Sequence, residues 1–159
     1  IDSISVSRIS HPRDRFYTGM EIKAIIKSID YDSGRIYLSH KELLGTWEEN
    51  VARFSVGQTV SGIIRSTEPY GIFIELAPNL AGLAEVKEGA VTGQTAAVYI
   101  KNIIPEKMKV KLALIDSYFP ASAVPAQFEY FTDTAHIDRW VYSPENSSRI
   151  IETVFGDEI

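Results

Sequence analysis

The sequence predicts a mainly β protein: a five-stranded closed barrel, part of a second barrel ahead of it, and a small α+β C-terminal extension. Three observations carry this. A 26-residue segment recurs 74 positions later. Five runs with the two-residue alternation of strands fall within about 60 residues. Residues 118–159 have a composition of their own.

Residues 1–45 read as the last strands of a first barrel. "YTGMEIKAIIKSIDYDSGRIYLSHKE" falls without a gap on "VTGQTAAVYIKNIIPEKMKVKLALID". Thr18 and Gly19 meet Thr92 and Gly93, and Lys27 and Ile29 meet Lys101 and Ile103. Arg35, Ile36 and Leu38 meet Lys109, Val110 and Leu112. Each copy reads turn, long strand, tight turn, strand. In the first, "DYDSG" supplies Asp, Ser and Gly for the reversal. The chain opens without methionine inside the strand-like "ISVSRIS", so the first half of this barrel is expected upstream or from elsewhere.

Residues 46–54 read as a linker helix over about 47–53. Thr46 and Glu49 form a capping box, Glu49 and Arg53 have the spacing of an ion pair, and Trp47 and Phe54 pack on the flanking domains. Residues 55–117 read as the complete barrel. "VGQTVSGIIRS", "YGIFIEL" and "GLAEV" come before the second copy of the repeat. Ile72, Ile74 and Leu76 alternate inward, with Phe73 and Glu75 outward. Met108, Val110, Leu112 and Leu114 point inward, with Lys109 and Lys111 outward. Strict alternation sets Tyr70 and Phe73 on opposite faces, and a bulge at Gly71 would bring both onto one.

Residues 118–159 hold eight of the chain's 17 aromatic residues, too much apolar surface to leave in water. "QFEYF" and "HIDRWVY" read as a hairpin around "TDTA". "SPENSSRIIETVF" reads as a helix capped by Ser143, with Pro144 first, Gly156 as the stop, and Ile150, Ile151, Val154 and Phe155 as its apolar stripe. A hairpin and one helix make a poor core alone, so this extension is expected to dock on a barrel or on a second copy of the chain.

The net charge is -5 and unevenly spread. Residues 1–50 carry 7 Lys+Arg against 8 Asp+Glu, residues 51–117 carry 7 against 6, and residues 118–159 carry 2 against 7. The extension supplies the acidity, so local fields rather than the total decide binding. Without cysteine there are no disulfides or thiolate metal sites. His11, His40 and His136 show no ligand spacing, so neither metal nor cofactor is expected. No run approaches the roughly 18 apolar residues of a membrane span, and there is no secretory signal, which fits a cytoplasmic protein without a membrane partner. No nucleophile elbow, phosphate-binding glycine loop or paired-carboxylate motif is present, so no enzymatic role is expected.

"FSVGQTVSG" at 54–62, "YGIF" at 70–73, "GL" at 82–83 and "IPEKMKVKLAL" at 104–114 resemble, in order and spacing, the S-one domain. This is the RNA-binding OB-fold repeat of the bacterial small-subunit ribosomal protein S-one. "VSRIS" at 6–10 and "SIDYDSGRIYLSHKE" at 28–42 resemble the same domain, so the likeness covers roughly residues 1–116. It implies single-stranded RNA bound on one barrel face with low sequence specificity. In that family two aromatics on the second strand stack on bases, helped by a histidine on the third and an Asp and Arg around the last hairpin. By position the aromatics are Tyr70 and Phe73 and the basic group is Lys109. Glu85 stands at the histidine position and Ile104 at the Asp position. The first copy keeps Asp30 and Arg35, with Ser5 in place of histidine.

The candidate RNA-binding residues are Tyr70, Phe73, Lys109, Lys111, Arg65, Asp30, Arg35, Arg13 and Arg15. Each has a plainer reading. The two rings would pack under a loop or a neighbouring domain. Lys109, Lys111 and Arg65 would form an ordinary solvated face, and Asp30 and Arg35 would pair across their turn. "RISHPRDRFYTG" gathers Arg8, His11, Arg13 and Arg15, either as a phosphate-facing loop with Phe16 or Tyr17 to stack, or as a solvated connection. Glu85, Ile104 and the acidic extension favour the alternative function, a protein-docking module. Its partner would be the ribosome or, through 118–159, a second copy of the chain.

Overall fold

The structure, a computed structural model, describes residues 2–121 and 128–155. It is mainly β. A hairpin of β1 (Ile25–Asp30) and β2 (Arg35–Ser39) precedes the short helix α1 (Trp47–Val51). Then β3 (Thr59–Glu68), β4 (Gly71–Ala77), β5 (Leu80–Ala84), β6 (Thr95–Ile104) and β7 (Lys109–Tyr118) close a barrel in the order β3-β4-β5-β7-β6. The closing contact of β5 with β7 is parallel, and its neighbours are antiparallel. Closure leaves no barrel edge open to a foreign strand. The expected alternation fills the interior with Ile64, Ile72, Ile74, Ile100, Val110 and Leu112. Gly82 lets β5 lie against β7, because a Cβ there would meet the Val110 carbonyl at 2.9 Å.

The repeat explains the first hairpin. Residues 26, 36 and 38 correspond to 100, 110 and 112, which are 0%, 2% and 1% exposed inside the barrel. Ile26, Ile36 and Leu38 are instead 43%, 58% and 55% exposed. They hold the positions of core residues, and among the described residues no strands cover them. The same lack shortens β1. The first half of β6 pairs with β3, and the equivalent residues 21–24 have no such partner and stay irregular. "ISVSRIS" likewise forms no strand over its described residues, contrary to expectation. The β1–β2 turn is as expected: Asp30 accepts hydrogen bonds from the Asp32 and Ser33 amides, and Gly34 takes a positive φ of 73°.

In the linker, Thr46 and Glu49 form the capping box and Trp47 is buried in the core. Arg53 does not pair with Glu49. Glu49 is held back by the Thr46 amide, and Arg53 reaches Glu129 at 2.5 Å and Asn50 at 2.9 Å.

The extension differs from expectation. No helix forms over the described part of 143–156, and Gly156 lies outside the described residues. Instead β8 (Arg139–Val141) pairs antiparallel with β9 (Glu152–Val154). The apolar run was legible with two periods. Thr153 and Phe155 are buried and Ile151 half-buried, while Glu152 and Val154 face out, which is alternation by two rather than a helical stripe. Ser143, expected as a helix cap, accepts the Ile151 amide across the loop. Residues 128–131 do not pair with "HIDRWVY" either. They run beside the turn after β2, where the Phe131 amide donates to Leu43 O. Docking on the barrel is observed: Trp140, Tyr142 and Phe155 join its core cluster.

One side chain ties these parts together. Asn79 is fully buried in the β4–β5 turn at a positive φ of 70°, which Asn tolerates better than most residues. Its amide donates to Lys41 O at 2.7 Å and Gly45 O at 3.2 Å, and its side-chain oxygen accepts the Val6 amide at 3.2 Å. Its backbone carbonyl accepts the Tyr142 hydroxyl, whose pKa is pushed up by burial.

His40 is the centre of an aromatic cluster with Phe16, Phe128 and Tyr130, its Nε2 lying 3.0 Å from the Tyr130 hydroxyl. Burial, and then the Arg15 cation, hold its imidazole down to about 4 against the opposing pull of Glu42. The unfolded chain takes up this proton near pH 6.5. The stability is therefore complete above that pH and is lost as pH falls toward 4. Urea denaturation at pH 7.5 and pH 5 should show the protein losing about 2 kcal/mol more than a His40→Phe variant loses. Equal losses in both would contradict a buried neutral imidazole.

Candidate nucleic-acid interface

The outer barrel surface is built by strand register. Ser66 on β3 pairs with Phe73 on β4, Phe73 with Leu83 on β5, Leu83 with Lys111 on β7, and Lys111 with Asn102 on β6. These residues form one outward row, with Phe73 two strands and about 10 Å from Lys111. Lys109 lies on the same side of β7, paired with Ile104. Both lysines are exposed.

Tyr70 joins this face, but not through a bulge at Gly71. Gly71 pairs regularly with Glu68, and the register shift falls on β3 between Ile64 and Ser66. Tyr70 lies in the two-residue turn Pro69–Tyr70, which swings its ring beside Phe73, with centroids 6.0 Å apart and planes near perpendicular. The Tyr70 side chain is 63% exposed. Phe73 is half-buried, and the Arg8 guanidinium sits 4.4 Å from its ring centroid. Neither ring is entombed, and Tyr70 is the open one.

The other candidates divide. Arg65 is not on a solvated face: its guanidinium donates to Glu75 at 2.8 and 3.1 Å and to Asp14 O at 3.1 Å. Arg15 is 2% exposed and paired with Glu75. Glu75, read as outward-facing, does leave the barrel wall, but the segment before β1 covers it. Arg13 is exposed in a short 3-10 turn (Pro12–Asp14) that lies against Arg65 through Asp14. Asp30 and Arg35 are cross-strand partners at the tip of the first hairpin, in a different sheet from Phe73, and no ion pair joins them among the described residues. The Ser33 contacts hold the Asp30 carboxyl below its usual range. Phe16 packs on His40 and cannot stack, whereas Tyr17 is exposed. Glu85 is exposed just past β5, and Ile104 is half-buried.

Arg8, outside the candidate set, also reaches this face. It was visible as one of a run of arginines, but nothing in the sequence says that this run crosses to the barrel. A cavity of about 280 Å³ between the linker and residues 128–131 is lined by Leu44, Asn50, Arg53, Pro78 and both flanking phenylalanines, with none of the outer-face residues. Among the described residues no group of three metal-ligating side chains converges, and no helix is long and apolar enough to cross a membrane.

A closed five-stranded barrel of this strand order, with aromatics and lysines on its outer wall, is an OB-type barrel. Its relatives place it more closely. Small ribosomal subunit protein bS1 of Staphylococcus aureus (strain MRSA252) is 28% identical over 173 aligned residues, covering 98% of this chain and 43% of the relative. Its namesake from Chlamydia muridarum (strain MoPn / Nigg) is 29% identical over 121 residues, 69% of this chain and 21% of the relative. That from Chlamydia trachomatis serovar D is 34% identical over 84 residues, 52% of this chain and 15% of the relative. The chain is thus homologous to small ribosomal subunit protein bS1, and its resemblance to the S-one domain family holds. It spans less than half the length of these curated relatives. No family model matches it.

Proposed function

We propose that this chain binds single-stranded RNA, without enzymatic action and with little sequence preference, on the outer face of its five-stranded barrel. Tyr70, open and braced by Phe73, carries the reading. A base stacked on such a ring contributes about 1–3 kcal/mol whatever its identity. Lys111 and Lys109 lie across the same wall, where a strand leaving Tyr70 would bring its phosphates. The relatives carry the name of a small ribosomal subunit protein. Extended to this chain, that makes the ribosome and its RNA the expected partners, in the cytoplasm. Glu85 sets one negative charge beside the path, which lowers affinity without closing the face.

The test is fluorescence anisotropy of a labelled single-stranded oligouridylate of about 12 nucleotides with the full chain. Tyr70→Ala with Phe73→Ala should weaken binding about 10-fold or more, most of it already present in Tyr70→Ala alone, whose exposed ring adds little to the fold. Unchanged affinity in the double variant would leave the protein-docking reading as the better one.

A further inference from the structure

We propose that Arg8 is a phosphate-gripping member of this RNA face, delivered to the second barrel by the segment ahead of the first hairpin. This rests on the reading of the Tyr70 face as an RNA site.

Three observations carry it. Arg8 is placed rather than loose. Ser5 and Ile9 on either side of it are buried, and the Val6 amide is tied to Asn79 in the β4–β5 turn. Its guanidinium is then fixed twice, above the Phe73 ring at 4.4 Å and against Glu68 at 2.9 Å. Glu68 is itself steadied by the Ser66 hydroxyl at 2.8 Å, and Ser66 is the cross-strand partner of Phe73. Finally, the group is only partly used. The Arg8 side chain is 48% exposed, and among the described residues only Nη1 donates a hydrogen bond.

A guanidinium held this way has donors left for a phosphate in a planar fork, and its geometry is fixed before RNA arrives. It also offsets the Glu68 charge, which would otherwise repel a backbone passing the end of β3. The face is then composite. Its rings come from β4 and the turn before it, its lysines from β7, and its arginine from the preceding repeat. The two repeats need not bind as separate beads, because the connecting segment of one completes the surface of the other.

Anisotropy titrations of the full chain with the same oligouridylate, repeated from about 50 to 200 mM salt, test this. Arg8→Ala should weaken binding roughly 3- to 10-fold at low salt and reduce the slope of log K against log salt by about 0.7, the loss of one phosphate contact on a single strand. Arg8→Lys should restore the slope but only part of the affinity, since an ammonium keeps the charge and loses the fork. An Arg8→Ala protein with wild-type affinity and slope overturns the proposal. So does tighter binding, which would make the guanidinium a plug over Phe73. Tyr70→Ala separates the two levels. If it weakens binding while Arg8→Ala does not, only the role of Arg8 fails. If neither does, the face is not an RNA site.

Discussion

Glu75→Ala should destabilise the fold by about 3–5 kcal/mol, the usual cost of leaving a buried charge without its partner. Glu75 is 6% exposed and receives two arginines: Arg15, 2% exposed, and Arg65, 12% exposed. Arg15 comes from the segment before β1, Arg65 from the bulged part of β3, and Glu75 from β4. Removing the carboxylate strands two guanidinium groups. Arg65 can still lean on Asp14, 4.0 Å away, but among the described residues Arg15 has no other carboxylate in an ion pair. Arg15→Ala should cost less, because Glu75 keeps Arg65. Replacing both, with Arg15→Met and Glu75→Leu, should recover much of the loss, since buried pairs often give way to apolar groups of similar volume at little cost. Urea denaturation of the three variants measures the order. A Glu75→Ala loss below about 1 kcal/mol would mean that water reaches the cluster and that the segment before β1 is not seated on the barrel.

The same residue shows where sequence reading stops. Alternation along "YGIFIEL" correctly sends Ile72 and Ile74 into the barrel and Phe73 and Glu75 out. Alternation is a local property of the pleat, and it cannot say what lies over the outer wall. Part of the segment of residues 2–15 lies there, between 51 and 65 positions from its contacts on β3 and β4, and it turns Arg15, Arg65 and Glu75 into a buried cluster and Arg8 into a surface neighbour of Phe73. The repeat was legible because its paired positions carry the same periodic pattern, and it places β1, β2, β6 and β7 correctly. The capping box of α1 was legible because the motif is complete within four residues. In the extension, "RIIETVF" fits both a helical stripe and alternation by two, and pairing with β8 selected the second. Its β-branched residues already leaned that way.

Asn79→Gly should cost about 3–5 kcal/mol and, at the same time, loosen Arg8 from the face proposed to bind RNA. The Asn79 side chain, itself fully buried, satisfies two carbonyls, Lys41 O and Gly45 O, and one amide, that of the half-buried Val6. Each buried group left without a partner costs about 1–3 kcal/mol, and the three share one side chain, so their costs do not simply add. Glycine is the informative replacement, since it accepts the φ of 70° without strain and isolates the loss of the hydrogen bonds. Asn79→Ala should be worse by about 1 kcal/mol, the price of a Cβ in the left-handed region. Asn79→Asp keeps the acceptor for Val6 but turns its other oxygen toward two carbonyls, so it should fall no higher than Asn79→Gly. The functional consequence follows from the route of the chain, because the Val6 contact is two residues from Arg8. The Asn79→Gly protein, studied well below its unfolding midpoint, should show the weaker salt slope of Arg8→Ala while still responding to Tyr70→Ala. If it keeps the full slope, the grip of Arg8 on Glu68 and Phe73 suffices to place it, and the Asn79 clamp serves stability alone.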